Sequence, residues 1–161
     1  MSLIFKSNWP ITKNIILFLV INFAALGIGS FLMGDGPNSN YYQSINKAPW
    51  TPPGWVFGVA WTTIMICFSI YLSYLLKEKA TDMFWLLFII QFVLNVSWNF
   101  VFFNQHAIGF GLLVIVLLTV LVGYYLFNFL SEMRLKSLFI LPYFIWLLIA
   151  TSLNAYSYLK N

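Results

Sequence analysis

Hydrophobic residues along this chain come in long unbroken blocks, and charge is what separates them. Charged side chains fall at Lys6, Lys13, Asp35 and Lys47, in a group from Lys77, Glu78 and Lys79 to Asp82, in a second group of Glu132, Arg134 and Lys136, and at Lys160. Uncharged runs are left over residues 14–34, 48–76, 83–131 and 137–159. One helical crossing of a bilayer takes roughly 20 apolar residues. The first, second and fourth runs therefore hold one span each, and the third, more than twice that length, holds two. Its natural break is the polar triplet Asn104-Gln105-His106, with Gly109 and Gly111 just beyond. The pattern predicts an all-α membrane protein, a single domain over residues 1–161 with spans at about 12–34, 53–76, 83–103, 107–131 and 137–159. The first span is too long for the apolar region of a signal peptide and has no small-residue cleavage pattern behind it.

Short polar connections at residues 77–82, 104–106 and 132–136 make successive helices antiparallel neighbours. The long connection lies between the first two spans, from Gly34 to about Pro53. It carries Gly36-Pro37, Asn38, Ser39 and Asn40, then Ala48-Pro49 and Pro52-Pro53. In so economical a chain it reads as a lid or wall over one end of the bundle. Lys6, Lys13, Lys77, Lys79, Arg134 and Lys136 share one face, with Lys47 and Lys160 on the other. The positive-inside rule then puts the amino terminus in the cytoplasm of a cell bounded by a bacterial plasma membrane.

Composition narrows the chemistry. The chain is 61% hydrophobic and 20% aromatic, and its 7% of charged residues is far below the quarter typical of soluble domains. Lipid is its natural surrounding. With no Asp, Glu, Lys or Arg inside the spans, proton relays, voltage sensors and carboxylate ion sites lack their essential groups. One histidine and one cysteine, His106 and Cys67, do not make a metal site. His106 is read as a surface residue in a turn rather than a haem ligand, and Cys67 as packing. The net charge of +4 has no cluster suited to nucleic acid.

The spans are instead rich in aromatic and uncharged hydrogen-bonding side chains at helical spacing. Gln91, Asn95, Trp98 and Asn99 lie on one face of the third span, and Pro142, Trp146, Ala150 and Asn154 on one face of the fifth. Amides are costly against lipid, so both stripes should point inward, either as hydrogen-bonding glue between helices or as the lining of a pocket. At the start of the second span, Pro52 and Pro53 suit the first helical turn. Gly54, Gly58 and Trp61 follow close to one face, and Trp50 and Trp55 bracket the entry. Gly54-x-x-x-Gly58 and Ala107-x-x-x-Gly111 suit close helix packing, more naturally inside one protomer than between two.

These residues resemble the TspO/MBR family, which includes the bacterial tryptophan-rich sensory proteins and the mitochondrial translocator protein, or peripheral-type benzodiazepine receptor. Lys47-Ala48-Pro49-Trp50-Thr51-Pro52-Pro53-Gly54-Trp55 is similar to the family's K-P-x-W-x-P-P-x-W junction, with the proline displaced by one position. Leu94-Asn95-Val96-Ser97-Trp98 is similar to its L-N-x-x-W segment, and Pro142-Tyr143-Phe144-Ile145-Trp146 to its P-Y-x-x-W segment. The resemblance implies a five-helix bundle that binds tetrapyrroles such as protoporphyrin IX or haem as ligands, with none bound covalently. It implies a pocket of Trp61, Asn95, Trp98, Trp146, Ala150 and Asn154, with Trp50 in the lid region. Also implied are a homodimer in membrane lipid and light-dependent oxidative breakdown of bound porphyrin, for which Trp61 and Trp146 are the oxidisable indoles. Transport of tetrapyrroles or of other hydrophobic ligands such as sterols is the alternative, and a structural or regulatory partner protein a third reading. The family's sterol motif departs here: Leu153-Asn154 is followed by Ala155, with Tyr156 one place later and Lys160 beyond.

Overall fold

The computed structural model describes residues 9–161, so Lys6, counted above among the cytoplasmic charges, lies outside the described residues. Five long helices carry the fold: α1 (Ile11–Leu32), α3 (Gly54–Glu78), α4 (Asp82–Asn99), α5 (Ile108–Asn128) and α7 (Leu141–Lys160). Short helices α2 (Asn40–Ser44) and α6 (Leu130–Met133) lie in the connections. The first four long helices are each apolar and long enough to cross a membrane, and α7, bent by 75° from the Leu130–Phe139 segment before it, completes a fifth where that pair counts as one span. Helix α1 packs on α3 and α4, α5 packs on α4 and α7, and α3 reaches α7. The five therefore close a ring in the order α1, α3, α7, α5, α4.

Helix starts follow local chemistry. The Thr81 hydroxyl accepts a hydrogen bond from the Phe84 amide at 3.3 Å, and Asp82 sits in the first turn of α4, where the helix dipole favours an anion. Pro52 and Pro53 stand ahead of α3 rather than in its first turn, with Pro53 in extended backbone as the capping residue. The fifth helix begins at Leu141, with Pro142 in its first turn, and not at about residue 137. Residues Arg134–Phe139 wind instead as a 3₁₀ segment, and Leu130–Phe139 as a whole lies at 75° to α7. The long connection after α1 contains a 3₁₀ turn at Gly36–Asn38 and helix α2, whose Tyr42 amide donates to the Ser39 hydroxyl at 3.1 Å. Gly34 and Gly36 turn it with φ of +60° and +49°, a conformation cheap only for glycine.

At the end of α4 the chain widens into a π turn, Phe100–Asn104, closed by the Gln105 amide donating to the Phe100 carbonyl at 3.0 Å. The extra residue in that turn lets Val101, Phe102 and Phe103 all be buried in succession. Phe102 lies against Gly111 of α5, where a methyl group would come within 3.2 Å of its ring, so this small residue does serve packing within the protomer.

The core fills the half of the bundle near the α3–α4 turn. Ile64, Met65, Phe68, Tyr71, Leu72, Leu75 and Leu76 of α3 are sealed in it with Ile115, Leu118, Val122 and Tyr125 of α5 and Tyr143 and Leu147 of α7. Several of its polar groups are paired across helices, as lipid favours. Asn22 donates to Ser69 at 2.8 Å, the Tyr71 hydroxyl to the Tyr125 carbonyl at 2.8 Å, and Gln91 to the Tyr143 hydroxyl at 2.9 Å. Outside, the turns at this end are joined by ion pairs Lys79–Glu132 and Lys136–Glu78, each at 3.1 Å.

Candidate functional site

At the opposite end the ring of helices is hollow. A cavity of about 560 Å³ lies between α1, α3 and α4 under the long connection, within the range of small-molecule sites. One wall is the first two turns of α3. Gly54 and Gly58 present bare backbone there, and a methyl group built on either would meet nothing within 4 Å. Within the protomer these two glycines are therefore not a helix-packing pair: no other helix among the described residues stands against them. Phe57, Trp61 and Thr62 complete that wall. Asn95, Trp98, Asn99 and Phe103 come from α4 and its π turn, and Ala25, Leu26, Ser30 and Met33 from α1. Asn99 fits because α1 offers Gly29 opposite it, where a methyl group would stand 2.7 Å from its side-chain nitrogen.

The roof is the lid that the long connection forms, with Asn38, Tyr42, Gln43, Lys47 and Thr51 turned to the cavity. It is fastened on several sides. The Tyr41 ring stacks on His106 with centroids 3.9 Å apart, and Tyr42 packs on Phe103 at 5.2 Å. The Asn46 amide donates to the Asn161 side-chain oxygen at 2.9 Å, and its side chain donates to the Lys160 carbonyl at 3.0 Å. Burial pushes the phenols of Tyr41 and Tyr42 above the usual tyrosine range, so both are neutral hydrogen-bonding groups at physiological pH. His106 does act as a surface side chain in a turn, with the added task of holding the lid.

The seven residues singled out as ligand-binding fall into three positions. Trp61, Asn95 and Trp98 line the cavity. Trp146, Ala150 and Asn154 are buried and point inward, one layer behind the wall. Trp146 meets the edge of Phe57 at 5.2 Å, and the Asn154 side-chain oxygen accepts the Trp98 indole N–H at 3.3 Å. Trp50 lies outside, 54% exposed, with its indole donating to the Ser152 hydroxyl at 3.2 Å and its ring against Tyr156. It pins the end of the lid to α7. Phe57, Gly54, Gly58, Asn99 and the lid residues belong to the site but were not singled out as binding. Asn99 shares the Asn95 stripe and Gly58 precedes Trp61 by one turn, so both carried a signal; the lid side chains sit in single short turns and loops, too brief for a periodic pattern, and carried none.

The chamber is thus lined by indoles, phenyl rings and bare helix backbone, with amides and hydroxyls confined to its sides and roof. Such a space accepts a flat, largely apolar molecule with a few polar groups at its edge. The TspO/MBR family model matches residues 16–159. The chain is 37% identical over 118 residues to protein CrtK of Rhodobacter capsulatus, covering 71% of this chain and 74% of that protein. It is 31% identical over 134 residues to the tryptophan-rich protein TspO of Chlorobaculum tepidum, covering 81% and 85%. To the human translocator protein it is 30% identical over 135 residues, covering 79% and 78%.

Proposed function

We propose that this chain, which belongs to the TspO/MBR family and is an integral multi-pass membrane protein, binds a tetrapyrrole such as protoporphyrin IX or haem in the chamber beneath its lid. The observation that carries this reading is the glycine-floored cavity itself. Gly54 and Gly58 leave α3 flat where a ring plane can lie, and Trp61, Trp98, Phe57 and Phe103 supply π surface around it. Asn95, Asn99 and the lid amides are placed to meet groups at the ring edge. Trp146, Ala150 and Asn154 then act by shaping the wall: Trp146 supports Phe57 and Asn154 orients Trp98.

Titration of the purified protein in nanodiscs with protoporphyrin IX, followed by quenching of tryptophan emission, tests the proposal. Saturable quenching weakened at least tenfold by Trp61→Ala or Trp98→Ala is expected. Quenching no greater than in empty nanodiscs, or unchanged by both substitutions, would overturn it. Light-dependent breakdown of the bound porphyrin falls to Trp61, the indole on the wall, with Trp146 behind Phe57 as a second donor. Equal bleaching by wild type, Trp61→Phe and free porphyrin in micelles would leave a binding protein only. By the Lys/Arg count, the lid end faces away from the cytoplasm of a bacterial plasma membrane. We expect a homodimer in membrane lipid.

A further inference from the structure

A purely apolar ring would use only the walls of the chamber, yet the roof presents a cation. Lys47 is half-buried with its side chain on the cavity. Its ammonium donates to the Tyr42 carbonyl at 3.1 Å and to the Gln43 side-chain oxygen at 3.5 Å, and stands 4.8 Å from the centre of the Tyr42 ring. All of these partners are neutral. Among the described residues the ion pairs are Lys79–Glu132 and Lys136–Glu78, both at the far end of the bundle, and no acidic residue lines the cavity. An ammonium has three donors, and two are occupied here. A half-buried charge beside an apolar space gains more from a counterion than one free in water. Asn38 lines the cavity beside it, while the Gln43 amide and the Thr51 hydroxyl donate to the Pro37 and Ala48 carbonyls, each at 2.7 Å, which leaves the ammonium as the charged donor of the roof.

The geometry points to Lys47 as the anchor for a carboxylate on the ligand, so that the chamber selects a planar apolar acid over a neutral molecule of the same shape. This rests on the tetrapyrrole reading above and specifies which edge of the ring lies under the lid. The bond to the Tyr42 carbonyl also ties off the last turn of α2, a structural role that would affect every ligand alike, acid or neutral.

The experiment separates the two roles. Wild type, Lys47→Gln and Lys47→Arg, as full chains in zwitterionic nanodiscs, are titrated with protoporphyrin IX and with its dimethyl ester, which keeps the ring and removes both charges. The expected result is that the preference for acid over ester falls about tenfold in Lys47→Gln, that ester affinity holds, and that Lys47→Arg keeps the preference. Partition into lipid cancels, because the same preference is compared between variants. A preference equal in wild type and Lys47→Gln overturns the inference. So does an equal weakening of acid and ester, which assigns Lys47 to lid folding alone. If wild type binds both compounds equally well, the tetrapyrrole reading stands and the anchor falls; if it binds neither, both fall.

Discussion

The two halves of α3 use one helix for opposite purposes. From Ile64 to Leu76 its inward residues are sealed among α5, α7 and the start of α4, with Phe68 in ring contact with Tyr71, Tyr125 and Tyr143. From Gly54 to Thr62 the residues turned the same way border a cavity. The filled half is held by large side chains buried against one another. The hollow half survives because glycines keep the helix away from the space and the lid bridges it from above. Stability and binding should therefore respond to different substitutions along a single helix.

The largest effect is expected in the filled half. Phe68→Ala should destabilise the protein by about 3–5 kcal/mol, read as a lower midpoint of denaturation in detergent, whereas Phe57→Ala, on the cavity wall, should leave the midpoint much closer to wild type and change ligand affinity. A Phe57→Ala variant as unstable as Phe68→Ala would erase the distinction between the halves. Gly58→Leu sharpens it from the other side. A leucine there fills the chamber and improves helix propensity by roughly 0.5–1 kcal/mol, so porphyrin affinity should drop at least tenfold while the melting temperature holds or rises.

Smaller effects are expected behind the wall and at its roof. Asn154→Ala leaves the Trp98 indole N–H without its acceptor, and affinity should weaken by about 1 kcal/mol, with a changed Trp98 emission in the free protein. Asn46→Ala removes the side-chain bond to the Lys160 carbonyl and so loosens the lid at the end of α7, where the backbone bond to Asn161 remains. Ligand dissociation, measured by stopped-flow displacement, should become several-fold faster with little change in thermal stability. The smallest response belongs to the far end. The Ser131 hydroxyl, first, and the Lys79 ammonium hold the Glu132 carboxyl below its ordinary range. A group with a lowered folded pKa stabilises above its unfolded value, about 4.3 for glutamate, and loses that contribution as pH falls through the folded one. Melting temperature should dip slightly on acidification below about pH 4, less so in Ser131→Ala, with porphyrin binding unaffected by that substitution.

What the sequence determined by itself is what depends on local length and polarity. Five apolar blocks, each long enough for a bilayer, are laid down residue by residue, and lipid reads them before any tertiary contact forms. The inward direction of Asn95, Trp98 and Asn99, and of Trp146, Ala150 and Asn154, follows as well, because helical period alone says which side chains share a face. What stands opposite that face is not local. Only the ring closure α1, α3, α7, α5, α4 decided that the α4 stripe looks into a void and the α7 stripe into the backs of Phe57 and Trp98. Small residues are equally silent on this point: Gly111 admits a neighbour's ring and Gly58 admits nothing, though each is a glycine one turn from a small residue in an apolar helix. The lid side chains Tyr42 and Gln43 reached the cavity from a helix of barely one turn, and Lys47 from irregular backbone, where no sustained period constrains direction and contacts with the π turn after α4, with His106 and with the end of α7 set it instead.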